Sequence, residues 1–499
     1  MGENHDFNLL VIGSGPSGQK AAVQAAKLGR KVAVIERKER VGGVSIHTGT
    51  IPSKTLRESV LELRKRRAID VSTSVSPSEE WDSVGAAYLR DRAARVVAAE
   101  TAVVREQLRR NRIAMLYGEA RFADPHRVEV LDGHETPHSY TADEIVIAVG
   151  TTPATPDNVD MNDPGVLDSD GILEHAGVPK TLTVVGAGVI GVEYASMFAV
   201  LGARVTLVDQ RPRILAFADA EIVEAMSYLL RRSGVTFRLG EEVTGVERHG
   251  EHVVTMLKSG KKIPADTVLF ASGRQGATGG LELKHAGLKA DKRGRIETDA
   301  RGRTSVKHIY AVGDVGAGSH GLAATAFEQG RQAALAASGQ ETEIMPDLVP
   351  TGVYAIPELG MVGRTEEQLT EASVPYVTGV ARWDELARGL ISGDEDGMLK
   401  LIVSPEDRSV LGVHIIGTGA ADLVHVGQAL MGRPGGVDFL VAAVFNYPTF
   451  AESYKVAALD VLNRMRVLGH LEDEAKGSDA ASAEARAKAK DSGAEPVGA

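Results

Sequence analysis

Two glycine-rich turns in this chain have the residue types and spacing that bind nucleotide phosphates. Each follows a short apolar run, 7–12 or 181–185, and each precedes a helical pattern. The glycines are Gly13, Gly15 and Gly18 in the first turn and Gly186, Gly188 and Gly191 in the second. The first glycine of such a motif permits a tight turn, the second lets backbone approach a pyrophosphate, and the third lets helix and strand pack closely. The following helix offers unpaired N–H groups to phosphate. We therefore predict two dinucleotide sites.

An acidic residue ends the next strand of each copy, where a carboxylate can accept hydrogen bonds from a ribose. These residues are Glu36 and Asp209. Asp209 favours NAD(H), because a carboxylate repels a 2′-phosphate. Arg211 and Arg213 follow it and could bind such a phosphate in bidentate fashion, although both could also be solvated loop charges. The acid and the two arginines together favour a site for both NAD(H) and NADP(H).

Three further apolar strands, in segments 144–150, 266–273 and 308–314, complete the elements that position these turns. The last segment puts Asp314 directly after a buried strand, where it is either a cofactor ligand or an ordinary helix cap. The repeated layout predicts that the first domain is interrupted by the second and resumes after it.

Composition excludes several classes of function. The chain has 499 residues, 43% of them hydrophobic, a net charge of −11 and no cysteine. A disulfide framework and thiolate metal sites are therefore excluded, and nucleic-acid or membrane partners are not expected. We interpret the basic run 64–67 as a solvated helix face, and His414 and His425 as packed or solvated rather than metal ligands. No apolar run reaches about 18 residues and no signal pattern opens the sequence, which predicts a cytoplasmic protein.

The order of six motifs resembles the FAD-dependent pyridine nucleotide-disulfide oxidoreductases, the family of glutathione reductase and lipoamide dehydrogenase, from residue 7 to about 470. The motifs are GSGPSG, GG with IPSK, IAVGTTP, GAGVIGVE, ASGR and YAVGDV. Segments 445–454 and 215–219 look like those of the transhydrogenases within that family. The resemblance implies an α/β fold with two Rossmann-like nucleotide-binding domains and a C-terminal α+β dimerisation domain, and a homodimer or higher homo-oligomer.

The resemblance also implies domain boundaries. These are 1–155 and 275–343 for the FAD-binding domain, 156–274 for the NAD(P)-binding domain, 344–471 for the interface domain and 472–499 for a disordered tail. The tail prediction rests on its polar composition without apolar periodicity.

Members of this family carry two cysteines beside the flavin in an active-site helix, and here those positions are Ser45 and Thr50, so the resemblance implies one helix that contains both. A hydroxyl cannot form a disulfide or pass electrons onward as a dithiol. Where the family places a proton-shuttling histidine before a proline, this chain has Tyr447, with Glu452 at the position of the orienting glutamate. An ordinary tyrosine has a pKa near 10 and shuttles protons poorly at neutral pH, so packing or a structural hydrogen bond is the preferred role for Tyr447. The two cysteines of the family and the histidine that exchanges protons with them are therefore both absent from this chain.

The resemblance assigns roles residue by residue. Gly13, Gly15, Gly18, Glu36, Gly42, Gly43 and Asp314 would hold FAD. The residues Gly186, Gly188, Gly191, Asp209, Arg211, Arg213 and Arg274 would hold NAD(P). Lys54 would lie near the reacting edge of the flavin and pair with Glu193. Val189, where some relatives have an aromatic gate, would leave the nicotinamide less obstructed.

These features predict hydride transfer between NADPH and NAD⁺ through bound FAD by a ping-pong mechanism. No metal is expected. The alternatives are an NAD(P)H oxidase or quinone-reducing diaphorase, and a flavin-bound redox sensor or scaffold. A disulfide reductase is disfavoured because the chain has no sulfur pair. The sequence does not fix the direction of transfer or the preferred nucleotide.

Overall fold

A computed structural model of the protein describes residues 5–72, 80–133, 137–156, 158–173, 177–342 and 348–469. Two compact units share this chain, the first drawn from 1–216, 230–349 and 354–356 and the second from 217–229, 350–353 and 357–499. The helices are α1 (Pro16–Lys27), α2 (Gly43–His47), α3 (Thr50–Ser72), α4 (Glu80–Arg110), α5 (Val189–Val200), α6 (Ala220–Arg232), α7 (Ala323–Ala337), α8 (Glu366–Glu371), α9 (Ala387–Ser392), α10 (Ala420–Gln428), α11 (Gly436–Ala442) and α12 (453–469).

The strands fall into two groups, one for each unit. Those of the first unit are β1 (Phe7–Ile12), β2 (Val32–Glu36), β3 (Ala114–Tyr117), β4 (Glu119–Asp124), β5 (Arg127–Leu131), β6 (His138–Ile147), β7 (Thr151–Pro153), β8 (Val166–Asp168), β9 (Thr181–Val185), β10 (Arg204–Asp209), β11 (Thr236–Leu239), β12 (Val243–His249), β13 (His252–Leu257), β14 (Lys262–Ala265), β15 (Thr267–Phe270), β16 (Arg274–Gly276) and β17 (Ile309–Ala311). Those of the second unit are β18 (Thr351–Val353), β19 (Leu359–Gly363), β20 (Val377–Arg382), β21 (Met398–Val403) and β22 (Val410–Ile416).

The first parallel sheet of the first unit has the order β3-β2-β1-β6, with β17 paired to β6 on the other side. Strands β4 and β5 extend β6 as an antiparallel ribbon. Residues Leu9 to Ile12 are buried because apolar side chains pack on both faces of β1, as is usual for a central parallel strand. The carboxyl ends of β1 and β17 consequently meet at one edge of the sheet, which brings the first glycine turn close to Asp314.

Helices α1 and α7 pack closely over this sheet. A Cβ atom at Gly330 would lie 2.0 Å from the Ser17 carbonyl oxygen, so only glycine permits this approach. The middle of α7 also holds the loop after β17, because the Gln329 side chain accepts a hydrogen bond from the Gly313 amide at 2.9 Å. The turn before α1 and the loop carrying Asp314 are thereby fixed to the same pair of helices.

The second parallel sheet of the first unit has the order β11-β10-β9-β15-β8. Helix α5 connects β9 to β10 and is apolar along most of its length, with residues 191–199 all buried. A separate antiparallel sheet, β12-β13-β14, lies between β11 and β15 in the chain. Each glycine turn therefore lies in a strand–turn–helix–strand unit of the same kind, and each unit belongs to its own parallel sheet.

The second unit contains one antiparallel sheet, β18-β19-β22-β21-β20. Lys400 on β21 is 1% exposed and its ammonium contacts Asp219 at 2.9 Å, Glu221 at 3.0 Å and Glu366. Burial acts to lower the pKa of Lys400, but these three carboxylates outweigh it and hold the pKa above its usual value. His414 on β22 is buried, and its Nε2 donates to the Arg364 carbonyl oxygen at 2.9 Å.

The predicted fold class is confirmed. Strands predicted at 7–12 and 181–185 have those bounds, whereas the three later segments form shorter strands or begin earlier than predicted. The side chains of Arg64, Lys65 and Arg66 are exposed on α3, as interpreted from the sequence. The predicted tail, 472–499, lies outside the described residues. Among the described helices, none combines the length and apolar character that a membrane crossing requires.

Candidate functional site

Two positions of the first glycine turn leave no room for a side chain. A Cβ atom at Gly13, where φ is +104°, would lie 2.4 Å from the Ala148 carbonyl oxygen, and one at Gly18 would lie 1.9 Å from the Gly13 carbonyl oxygen. Gly15 is the N-cap of α1 and makes no side-chain cap. The first N–H groups of α1 therefore follow a turn made of closely packed backbone. A helix N-terminus of this kind is an arrangement that binds a pyrophosphate.

Glu36 lies at the end of β2 and is 8% exposed. Its carboxylate accepts hydrogen bonds from the Ser14 amide at 3.1 Å, the Ser14 hydroxyl at 2.5 Å and the Lys38 amide at 3.0 Å. The Ser14 oxygen in turn accepts a hydrogen bond from the Gly42 amide at 3.0 Å. One hydroxyl thus ties the acidic residue to the segment that begins α2.

A single cleft brings together most of the residues predicted to hold FAD. Gly13, Gly15, Glu36, Gly43 and Asp314 all line it. Gly43 approaches the first turn so closely that a Cβ atom there would lie 2.8 Å from the Gly15 Cα.

Gly18 and Gly42 do not line the cleft but support its wall. Gly18 is in contact with the Gly13 carbonyl group, and the Gly42 amide donates to Ser14.

Asp314 lies in a short 3-10 helix, Gly313–Val315, at the edge of this cleft. Burial raises the pKa of its carboxyl group above the usual 3.8, and the positive charges of Arg274 and Arg295 oppose that rise only in part. No described residue donates a side-chain or backbone hydrogen bond to this carboxylate, so a ligand that supplies hydroxyl groups would relieve the cost of its burial.

The segment that resembles a disulfide-reductase active-site helix is divided. Helix α2 ends at His47 and α3 begins at Thr50, so Ser45 and Thr50 belong to two helices rather than one. The amides of Thr48 and Gly49 both donate to the Val44 carbonyl oxygen, which closes α2 before α3 starts. The expectation of one continuous helix is wrong, but both hydroxyl residues still line the cleft.

His47 is a cleft residue that the sequence analysis did not identify. Its Nε2 donates to the Val41 carbonyl oxygen at 2.9 Å. Its Nδ1 is buried and has no hydrogen-bond partner among the described residues. A histidine between the two hydroxyl positions was a signal in the sequence, but no spacing rule connects it to a cofactor.

The structure brings Lys54 and Glu193 together. The Lys54 ammonium lies 2.9 and 2.8 Å from the two Glu193 carboxylate oxygens, and the exposed fractions of the two side chains are 26% and 4%. Glu193 also accepts a hydrogen bond from the Tyr354 amide at 2.8 Å, and the ammonium lies 4.8 Å from the centre of the Tyr354 ring. Tyr354 was not identified from the sequence, because it is far from Lys54 in the chain.

The second glycine turn repeats the geometry of the first. A Cβ atom at Gly186, where φ is +109°, would lie 2.5 Å from the Ala271 carbonyl oxygen, and one at Gly191 would lie 1.7 Å from the Gly186 carbonyl oxygen. Gly188 is the N-cap of α5. The backbone surface that suits a pyrophosphate is therefore present twice.

Asp209 ends β10 and its carboxylate is 5% exposed. It accepts hydrogen bonds from the Ala187 amide at 2.6 Å and the Arg211 amide at 2.8 Å, and from the Arg211 guanidinium through Nε at 2.9 Å and Nη2 at 2.6 Å. Burial acts to raise the pKa of Asp209, but the hydrogen bonds outweigh it and hold the pKa below 3.8. Arg213 donates to the Ala216 carbonyl oxygen at 3.1 Å.

Arg274, predicted to hold NAD(P), lies elsewhere in the first unit. Its guanidinium donates to the Thr151 hydroxyl and carbonyl oxygens at 3.0 Å each, to Ser169 at 3.2 Å and to Asp170 at 3.0 Å. Both Thr151 and Asp170 line the cleft of the first glycine turn. These contacts place Arg274 beside the cleft of the first glycine turn, and its predicted role in holding NAD(P) stays a prediction.

Two models of one protein family match this chain. Residues 7–330 match the family model described as pyridine nucleotide-disulphide oxidoreductase, and residues 349–458 match the dimerisation domain of the same family. The chain belongs to the pyridine nucleotide-disulphide oxidoreductase family. The family resemblance drawn from the motifs is confirmed.

Curated members of the family include close relatives of this chain. A soluble pyridine nucleotide transhydrogenase of Mycobacterium tuberculosis is 53% identical over 467 residues, which cover 93% of this chain and 98% of the relative. A protein of the same name from Colwellia psychrerythraea is 42% identical, with 93% of this chain and 100% of the relative covered.

Solved structures of the family share the fold. The HOCl-induced flavoprotein disulfide reductase RclA from Escherichia coli matches with a TM-score of 0.80 and 27% identity, covering 90% of this chain and 99% of that one. LpdA from Mycobacterium tuberculosis matches with a TM-score of 0.82 and 24% identity, covering 90% and 99%. At that identity the second likeness shows the fold alone.

The dimerisation domain contains the position at which this family member lacks a histidine. Tyr447 is 69% exposed and Val444 is 95% exposed in the single chain. Packing within one chain therefore does not explain Tyr447. Glu452 has a local role, because it accepts a hydrogen bond from the Thr449 amide at 3.2 Å and completes a capping box with Thr449.

Proposed function

We propose that this chain is a nicotinamide nucleotide transhydrogenase that transfers hydride between NADPH and NAD⁺ through bound FAD. The observation that carries the proposal is the pair Ser45 and Thr50, which line the cleft at the positions where the family resemblance expects cysteines, in a chain without any cysteine. Electrons that enter such a site have no cysteine pair through which to leave. The relatives at 53% and 42% identity bear the name of that activity.

The residues of the first cleft fit FAD. The close turn of Gly13, Gly15 and Gly18 suits the pyrophosphate, and a Cβ at Gly13 or Gly18 would collide with a backbone carbonyl oxygen and distort this turn. Glu36 accepts three hydrogen bonds from described residues, and an ionised carboxylate has about four acceptor positions. One position is thus available to a ribose hydroxyl. Asp314 would supply an acceptor for the hydroxyl groups of the flavin ribityl chain. Gly42 and Gly43 hold the adjoining wall of the cleft.

Bound FAD would supply the capacity to accept a hydride and to return it. The protein's own part is electrostatic and positional. Lys54, held by Glu193 and by the Tyr354 ring, presents a fixed positive charge that favours negative charge developing nearby. Because Lys54 is only 26% exposed, water screens this charge less than at an open surface.

The nicotinamide nucleotide is the exchanging substrate. Gly186, Gly188 and Gly191 bind its pyrophosphate, and Asp209, Arg211 and Arg213 bind its adenosine ribose with or without a 2′-phosphate. Arg274 supports the first cleft through Thr151 and Asp170. One nucleotide leaves before the other enters, since both use the second turn, and this order gives ping-pong kinetics.

The domain organisation that goes with this function is an FAD-binding domain at 1–155 and 275–343, an NAD(P)-binding domain at 156–274 and an interface domain at 344–471. The match to a dimerisation domain at 349–458 supports a homodimer. A cytoplasmic location stays a prediction.

Anaerobic half-reactions test the proposal. Flavin-loaded protein is mixed with NADPH, the flavin absorbance is followed, and NAD⁺ is then added. We expect the flavin to bleach, to recover on addition of NAD⁺, and to yield NADH in proportion to the flavin present. Bleaching without recovery would refute the proposal and favour an oxygen- or quinone-reducing enzyme. Failure of both NADPH and NADH to bleach the flavin would refute it in favour of a redox sensor or scaffold.

A further inference from the structure

The acid of the second nucleotide site is saturated by its own neighbours. Four donors from the described residues reach the Asp209 carboxylate, and three of them belong to Arg211. An ionised carboxylate offers about four acceptor positions. A ribose hydroxyl can therefore bind Asp209 only where one of these donors gives way.

The donor that can give way is the Arg211 guanidinium. The amides of Ala187 and Arg211 are parts of the backbone, and the Asp209 side chain is 5% exposed, so the acid and these two donors are fixed. The Arg211 side chain is 45% exposed and rotates about single bonds. Its departure from Asp209 needs no movement of the main chain.

The guanidinium also lies beside the second glycine turn. Its Nη2 is 4.0 Å from the position of a Cβ atom at Gly188, the residue at the N-terminus of α5. Side-chain rotation near this turn keeps the positive charge within reach of a phosphate on the adenosine ribose. A planar guanidinium binds phosphate in bidentate fashion as readily as it binds a carboxylate.

We infer that Arg211 is a displaceable selector, meaning a side chain that binds Asp209 in the free protein and leaves it when a nucleotide binds. When NAD(H) enters, its ribose hydroxyls replace the guanidinium on Asp209. When NADP(H) enters, the guanidinium rotates away from Asp209 and binds the 2′-phosphate. This inference rests on the proposed function and specifies how one site accepts both nucleotides. For NAD(H), hydroxyl groups replace the guanidinium on the acid. For NADP(H), the guanidinium neutralises the phosphate that Asp209 alone would repel.

A selector affects the two nucleotides in opposite directions. Loss of the Arg211 side chain removes the partner of the 2′-phosphate but also removes the competitor for Asp209. A residue that merely supports the loop would weaken both nucleotides together. The sign of the two effects therefore separates the selector from a structural role.

The test uses two fragments without nicotinamide, 2′,5′-ADP and 5′-AMP, titrated calorimetrically into flavin-loaded full-length protein. Bound FAD occupies the first cleft, so the fragments report on the second turn. For Arg211→Gln we expect the Kd of 2′,5′-ADP to rise about tenfold to a hundredfold and the Kd of 5′-AMP to fall. For Asp209→Asn we expect the reverse, with tighter 2′,5′-ADP and weaker 5′-AMP. Arg204→Gln, which removes the same charge at the other end of β10, is the matched control and should change neither Kd.

Three results would overturn the inference. They are an equal rise of both Kd values in Arg211→Gln, no change in either, and a crystal structure of the NAD⁺ complex in which the Asp209–Arg211 ion pair is intact. Melting temperatures of the variants identify unfolding, and Arg211→Lys, which keeps the charge without the fork, should give an intermediate Kd for 2′,5′-ADP. Because the fragments carry no hydride, these measurements stand whether or not NAD⁺ recovers hydride from reduced flavin.

Discussion

The two glycine turns share one backbone design and differ in how they hold the acid at the end of the second strand. Glu36 accepts hydrogen bonds from a hydroxyl and two backbone amides, while Asp209 accepts two of its four from a guanidinium. The difference begins one residue after the first glycine, where the first turn has Ser14 and the second has Ala187. Ser14 gives Glu36 a neutral hydroxyl donor, whereas the second turn has no hydroxyl at this position and Asp209 takes charged donors from the Arg211 guanidinium.

This difference matches the two tasks that we propose. A neutral hydroxyl, itself tied to the Gly42 amide, makes the first acid part of the cleft wall and leaves it an acceptor for a resident cofactor. A mobile cation on the second acid makes binding an exchange, which suits a nucleotide that must leave in every cycle. The same fold element thus becomes a permanent or a transient site through one or two side chains.

The largest expected effect comes from adding a methyl group to the third glycine of either turn. Gly18→Ala puts a Cβ 1.9 Å from a carbonyl oxygen of the first turn, and Gly191→Ala puts one 1.7 Å from a carbonyl oxygen of the second. We expect Gly18→Ala to lose FAD. We expect Gly191→Ala to keep FAD but to be reduced by NADPH and NADH at least about a hundredfold more slowly, since the turn that holds the pyrophosphate is distorted. The flavin-to-protein absorbance ratio and stopped-flow bleaching measure the two outcomes.

Gly177→Ala is the control, because a Cβ there meets no atom of the described residues within 4 Å. The comparison between the turns fails if Gly191→Ala loses flavin as completely as Gly18→Ala, or if it is reduced at the wild-type rate.

A second substitution removes a feature that serves both nucleotides alike. Lys54→Met deletes the fixed charge held by Glu193, and removing one such electrostatic contact typically slows chemistry by about 10²-fold to 10³-fold. We expect flavin reduction by NADPH and by NADH to slow by the same factor in stopped-flow experiments. Lys65→Met, on the same helix but exposed, should leave both rates unchanged. Unequal slowing would mean that Lys54 takes part in nucleotide selection, which we assign to Arg211.

Much of the fold could be predicted from the sequence, because local patterns determine it. A buried parallel strand, a glycine turn and an amphipathic or apolar helix are each readable within about thirty residues. The bounds of β1 and β9 were therefore predicted correctly. The break between α2 and α3 was missed because nothing in residues 45–50 excludes a continuous helix, and only the hydrogen bonds to Val44 show where it stops.

The candidate site divides in the same way. Residues defined by a motif, such as Gly15 and Asp314, line the cleft as the resemblance implied. Contacts between distant segments were not readable, including the ring of Tyr354 beside Lys54. The contacts of Arg274 with Thr151 and Asp170, which line the cleft of the first turn, were likewise not readable from its motif. A motif gives a residue's position in the chain but not the partner that a flexible side chain finds.

Exchange of the residue after the first glycine tests the comparison more finely. Ser14→Ala removes a donor from Glu36 and an acceptor from the Gly42 amide. Leaving buried polar groups unpaired costs enough to raise the Kd of FAD about tenfold, as measured by flavin fluorescence during reconstitution. The reciprocal Ala187→Ser should change nucleotide affinity less, because Arg211 already satisfies Asp209. Ser338→Ala, which removes a hydroxyl bonded within α7, is the control. An unchanged Kd for FAD in Ser14→Ala would show that the hydroxyl is not part of the site.

The smallest effect concerns pH, and it has opposite signs at the two sites. Burial raises the pKa of Asp314 above 3.8, so folded FAD-free protein holds this proton more tightly than the unfolded chain, and stability falls as pH rises through that window. Asp209 has a pKa below 3.8 despite its burial, because of its hydrogen bonds from Arg211 and Ala187, so it contributes stability that is present above pH 3.8 and is lost as pH falls through its folded pKa. Asp314→Asn should therefore raise the melting temperature at pH 7, and Asp209→Asn should lower it.

The difference for Asp314→Asn should shrink as the pH of the melting experiment is lowered through the raised pKa of Asp314, and the difference for Asp209→Asn should begin to shrink only below pH 3.8. Asp299→Asn is unsuitable as a control because that carboxylate accepts hydrogen bonds from Arg301 and Arg303 amides; Glu39→Gln, at an exposed position, is suitable and should show no dependence on pH. Changes of the same sign in Asp314→Asn and Asp209→Asn at pH 7 would contradict the contrast. Asp314, which has no hydrogen-bond donor among the described residues, and Asp209, which has four, would then be equivalent in the folded protein, and the distinction between a resident and an exchanging site would need another cause.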